Sequence, residues 1–156
     1  MKKAAEKKLF DLIDGLYPNA KEKEIKDLIN DGVDINCRNE KGMTPLLRLM
    51  EVSNDKINLK EIVLLLIELG ANVRAKNNWR STALQYLCQF YEQDDIIEII
   101  EILIENGVDV DVRNNFSLSA LNYCCENKNY DLLFTIKQFL IANGASDIGD
   151  YGHCYG

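Results

Sequence analysis

Apolar residues along the chain come in short bursts at three- and four-residue spacing. Leu9, Leu12, Ile13 and Leu16 make one stripe and Ile25, Leu28 and Ile29 the next. Further on, Ile62, Leu65, Leu66 and Leu69 repeat the pattern, as do Ile96, Ile99, Ile100 and Leu103. Such spacing places each set on one side of a helix. Several bursts share one ending: Ile29-Asn30-Asp31-Gly32-Val33-Asp34-Ile35, Ile67-Glu68-Leu69-Gly70-Ala71-Asn72-Val73, Ile104-Glu105-Asn106-Gly107-Val108-Asp109-Val110 and Ile141-Ala142-Asn143-Gly144-Ala145-Ser146-Asp147. The four glycines are 38, 37 and 37 residues apart. Each is placed to close a helix, because a left-handed residue after the last turn costs glycine least.

A second segment keeps the same period: Gly42-Met43-Thr44-Pro45-Leu46, Arg80-Ser81-Thr82-Ala83-Leu84 and Ser117-Leu118-Ser119-Ala120-Leu121. Thr44, Thr82 and Ser119 stand where a hydroxyl caps the open N–H groups of a helix, and Pro45 suits the first helical position. Each unit therefore predicts a brief first helix ending near Met50, Tyr91 or Asn127, a polar loop and a longer second helix. A finger-like turn then leads onward. One unit cannot bury its apolar faces alone, so the units are expected to stack into an all-α solenoid.

Thr44-Pro45-Leu46 and the recurring Gly-Ala/Val-Asp/Asn/Ser segments resemble the ankyrin repeat over nearly the whole chain. The resemblance implies one ankyrin-repeat solenoid domain over residues 1–147, with units at about 1–38, 39–76, 77–113 and 114–147 and a tail at 148–156. Residues 1–31 read as a divergent first unit, with Glu6-Lys7-Lys8 in place of the threonine-proline signature. The units run four or five residues longer than the family's usual length, with the excess between the helices. Leu47, Gln85 and Asn122 replace the histidine that commonly follows Thr-Pro-Leu. The finger glycine survives only as Gly42, giving way to Arg80 and Ser117.

Composition narrows the function classes. The chain has 156 residues, 47% apolar and 28% charged, and a net charge of −7. That balance argues against a general nucleic-acid or anionic-membrane binder and favours a basic partner surface. No apolar run reaches the roughly 18 residues of a membrane helix, and Met1 to Lys8 lacks the apolar stretch of a secretory signal. Five cysteines without paired spacing point to a reducing compartment, cytoplasm or nucleus. Cys37, Cys88, Cys124 and Cys125 read as small core residues.

Catalytic motifs are missing. There is no phosphate-cradling loop, nucleophile elbow or paired-histidine zinc motif, and the sole histidine, His153, sits beside Cys154 near the C-terminus. The expectation is a non-enzyme with no cofactor and no metal.

The fingers carry the candidate site. Aligned in phase they read Arg38-Asn39-Glu40-Lys41-Gly42-Met43, Lys76-Asn77-Asn78-Trp79-Arg80-Ser81 and Arg113-Asn114-Asn115-Phe116-Ser117-Leu118. Stacking predicts one row of Arg38, Lys76 and Arg113 and another of Lys41, Trp79 and Phe116, with Met43, Arg80 and Leu118 close by. Exposed aromatic, methionine and arginine side chains together have the composition of a protein-binding hot spot. The plainer reading packs Trp79 on Phe116 and leaves the cations solvated or paired with Asp34, Asn72 and Asp109. Tyr86 and Tyr123, in phase on the first helices, read as partly buried ring fillers, with binding aromatics the alternative. By the resemblance, Glu51, Gln89, Phe90, Glu126 and Asn127 extend the surface. The expected role is an adaptor or inhibitor that binds another protein as a monomer or weak homodimer. The alternative is a structural or self-associating piece of a longer array.

Overall fold

The computed structural model of the chain describes residues 2–15, 22–53, 58–90, 93–124 and 130–146. Among them are eight α-helices and no strand: α1 (Lys2–Asp14), α2 (Glu22–Asn30), α3 (Pro45–Val52), α4 (Leu59–Glu68), α5 (Ala83–Phe90), α6 (Ile96–Glu105), α7 (Ala120–Cys124) and α8 (Tyr130–Ala142). Leu16, Tyr91, Cys125, Glu126, Asn127, His153, Cys154 and the expected tail lie outside the described residues.

The helices form two rows. α1, α3, α5 and α7 pack side by side in that order, and α4 lies against α6 behind them. This is a linear stack, so the all-α solenoid expected from the repeat is what the chain forms. The in-phase leucines Leu46, Leu84 and Leu121 are all buried between first helices. Cys88 and Cys124 lie beside them as free, buried thiols. A hydrogen bond to Cys88, together with burial, pushes the Cys124 thiol up. Cys37 is buried at the place Ala75 takes one unit later. Burial, with the carboxylates of Glu6 and Asp34 adding, raises its thiol to about 11. These three cysteines are the small core residues that the sequence implied.

Helix ends follow the local chemistry. Pro45 opens α3 and the Thr44 hydroxyl accepts the Leu47 N–H at 3.3 Å. In α5 the exchange is reciprocal: Thr82 Oγ1 accepts the Gln85 N–H at 3.4 Å, and Gln85 Oε1 accepts the Thr82 N–H at 2.9 Å. Gln85 then donates through Nε2 to the carbonyls of Val112 and Leu118, 2.8 Å each, tying its unit to the next. Asn122 Oδ1 likewise accepts from the Ser119 N–H. Two of the three residues replacing the expected histidine thus still cap the helix, while Leu47 is buried.

The four glycines close the second helices as predicted, with φ between 91° and 99°. The following residue donates its N–H back five positions, as from Val33 to Leu28 and from Ala71 to Leu66. Just beyond, one side chain per unit reaches across to its neighbour. Asn36 donates to the Gly70 carbonyl and accepts the Asn72 N–H. Arg74 Nε donates to the Gly107 carbonyl at 2.6 Å. Asp111 accepts from the Ser146 hydroxyl and N–H, which lowers its carboxyl below the usual range. Three different chemistries serve one position.

Candidate docking surface

Each finger is organised by one asparagine. Asn39 Oδ1 accepts the N–H groups of Lys41 and Met43, both at 3.0 Å. Asn77 does the same for Trp79 and Ser81, and Asn114 for Phe116 and Leu118. The amide has two lone pairs on its oxygen, so one side chain satisfies two turn donors. In the second and third fingers its Nδ2 also donates to a tyrosine hydroxyl, Tyr86 for Asn77 and Tyr123 for Asn114, both at 2.8 Å. These asparagines recur in phase along the chain, yet the spacing alone assigns them no role.

Neighbouring fingers are laced by backbone bonds, from Asn78 N–H to the Lys41 carbonyl at 3.2 Å and from Asn115 N–H to the Trp79 carbonyl at 2.9 Å. The turn needs a left-handed residue at its fifth position: Gly42 has φ 70°, Arg80 61° and Ser117 62°. A Cβ on Gly42 would stand 2.3 Å from Asn78 Oδ1, which explains the glycine there. At Ser117 the strain persists, and left-handed geometry costs a non-glycine residue about 1–2 kcal/mol. Replacement by glycine raises the entropy of the unfolded chain at a cost of about 0.5–1 kcal/mol. Ser117→Gly is therefore expected to stabilise the fold by about 0.5 kcal/mol, raising the thermal midpoint by about 1–2 °C. A lower midpoint would contradict the strain.

The cation row is more firmly held than the sequence implied. Arg38 Nη1 donates to the carbonyls of Gly42 and Lys76, 2.7 Å each, and Arg113 Nη1 donates to the Ser117 carbonyl at 3.0 Å. The carboxylates of Asp34 and Asp109 and the Asn72 amide are used instead on their own turns, where they accept the N–H groups of Asn36, Asp111 and Arg74 respectively. Lys41, Arg80 and Arg113 are exposed, and Lys76 is half-buried. Met43 is a correction to the expected surface: it is 0% exposed, turned into the core where Asn77 Nδ2 meets its sulfur at 3.3 Å, and offers nothing to a partner. Leu118 is half-buried, its backbone engaged by Asn114 and Gln85.

The aromatic row does form. Trp79 is 39% exposed and Phe116 64%. Together with Tyr86 and Tyr123 they line an open cleft of about 170 Å³ between the second and third fingers and their helices. Ser81, Gln85 and Gln89 complete its wall. The tyrosines are half-buried, and their rings also line the cleft. Burial first, and the Glu51 carboxylate second, raise the pKa of Tyr86 against the lowering hydrogen bond from Asn77. Phe90, exposed at the end of α5, stacks on Tyr86 with centroids 5.9 Å apart. Glu51 is held by Arg48 at 2.5 Å.

Among the described residues no group of three His, Cys, Asp or Glu is placed to hold a metal. No described helix is long and apolar enough to cross a membrane. None of the curated proteins compared with the chain matches it. A family model described as ankyrin repeats in three copies matches residues 16–113 and, overlapping, 49–150. Four glycine-closed second helices, in-phase Thr caps on α3 and α5 and a linear two-row stack agree with that match. The chain belongs to the ankyrin repeat family, whose repeats are generally protein–protein interaction modules and typically not enzymes.

Proposed function

We propose that this chain docks a partner protein through its finger row and the concave first-helix face, acting as an adaptor or an inhibitor. It works as a single domain of four units with the boundaries read from the sequence, in the cytoplasm or nucleus. The observation that carries the reading is the exposure of Trp79 and Phe116 on one cleft, since large rings left in solvent at a defined concavity are the usual anchors of an interface. Support comes from the hydrogen bonds that fix the surrounding turns, because a surface already ordered before binding loses little entropy on contact.

The test compares the tagged chain with the double variant Trp79→Ala, Arg113→Glu as bait for proteins from a cell extract. A specific partner retained by the parent should fall by about tenfold or more in the variant, as hot-spot loss implies. Helicity and melting should stay close to the parent, because both side chains are exposed. Equal retention by both baits would rule out the finger face.

A further inference from the structure

The cleft between the second and third fingers has a size, a lining and an electrical setting that together specify a ligand. Its volume of about 170 Å³ is near that of a cavity of about 150 Å³ able to take a benzene ring. Four of its seven lining residues are aromatic: Trp79, Phe116, Tyr86 and Tyr123. The tyrosine hydroxyls already accept from Asn77 and Asn114, and the Gln85 amide is engaged with Val112 and Leu118. The four rings pair well with another ring in stacked or edge-on contact.

The charge of the finger turns runs opposite to the molecule as a whole. The three finger turns carry five cations, Arg38, Lys41, Lys76, Arg80 and Arg113, against one carboxylate, Glu40. Exposed acids such as Glu61, Glu68, Glu98, Glu101 and Glu105 lie on α4 and α6, in the other row of helices. The net charge of −7 therefore says little about what the fingers attract. Arg80 stands between the cleft residues Trp79 and Ser81, and Arg113 binds the carbonyl next to Phe116. Arg38 and Arg113 are both held through Nη1, and among the described residues neither the Nε nor the Nη2 of either guanidinium makes a hydrogen bond. The Nε–Nη2 edge matches a carboxylate with two parallel hydrogen bonds.

We infer that the cleft takes one aromatic side chain of an extended acidic segment in the partner protein, its flanking carboxylates meeting the finger cations. This deepens the docking reading above and rests on it. The ring supplies the anchor, and the carboxylates set the orientation and speed of encounter.

Trp79 is the chain's single tryptophan, so its emission reports directly on the cleft. The probe is an acetylated, amidated heptapeptide of aspartate and glutamate with a central phenylalanine. It is titrated into the whole chain beside the same peptide with central alanine and a lysine-flanked peptide with central phenylalanine. Saturable change in emission is expected for the first, with binding about tenfold weaker for the alanine version. Raising the salt should weaken binding further, because the contacts are exposed charges. The variant Lys41→Glu with Arg80→Glu, both exposed, should lose about tenfold in affinity while its helical signal stays unchanged. Equal or tighter binding of the lysine peptide overturns the inference, as does indifference to the central ring or the absence of any response. None of those results touches the capture experiment, which decides separately whether the finger face docks a protein.

Discussion

Asn77→Ala is expected to destabilise the fold by about 3 kcal/mol, a large loss for removing one small polar side chain. Asn77 is buried and makes four contacts at once: its oxygen accepts from the N–H groups of Trp79 and Ser81, and its nitrogen donates to the Tyr86 hydroxyl and Met43 sulfur. Alanine leaves the two turn N–H groups without that acceptor. Each hydrogen bond is worth about 1 kcal/mol net, and a buried donor left unpaired costs about 1–3 kcal/mol. Urea unfolding followed by circular dichroism would show it as a lower midpoint. Asn39→Ala should cost less, since Asn39 is half-buried and the place of Tyr86 beneath it is taken by Arg48. Asp at position 77 keeps the acceptors and loses the amide donor, so it should recover part of the loss. A shift below about 1 kcal/mol for Asn77→Ala would mean that water readily replaces the side chain.

Ile100→Ala is the second large effect, also about 3 kcal/mol. Ile100 is 0% exposed on α6, seven residues before Gly107. Ile25 and Val63 stand at the same distance from Gly32 and Gly70 and are equally buried. Truncating a buried isoleucine to alanine costs about 2–5 kcal/mol, the lost transfer term plus the cavity left behind. Leu64→Ala on α4, where the side chain is 44% exposed, should change stability by less than about 0.5 kcal/mol. The two variants measured together test whether burial, rather than helix propensity, governs the loss. Similar shifts for both would undo the assignment of α6 to the core.

The part of the fold legible in the sequence is the part written as periodicity. The glycines at 32, 70, 107 and 144, the Thr or Ser caps and the helical stripes repeat in identity, and the chain folds as they imply. Met43 shows where that legibility stops. Within a turn there is no helical or strand alternation, so nothing in the letters says that position 43 faces the core while Trp79 and Phe116 face outward. Gln85 shows a different limit: its amide caps its own helix and reaches the next unit, a task the expected histidine would have signalled by identity. The asparagines at 39, 77 and 114 are legible in principle, being in phase and unchanged. Their importance emerges only with the hydrogen bonds each one makes.

The cross-unit contacts of Asn36, Arg74 and Asp111 give each junction its own lock. Asn36 answers both a carbonyl and an N–H, Arg74 answers a carbonyl alone, and Asp111 answers only donors. Were the second and third units exchanged by shuffling, Asp111 would meet the Gly70 carbonyl and the Asn72 N–H, and Arg74 the Gly144 carbonyl and the Ser146 N–H, so each side chain would still find a backbone partner of the right kind. The backbone thus presents one common socket at each joint, and evolution can change the side chain that plugs into it without re-cutting the rod.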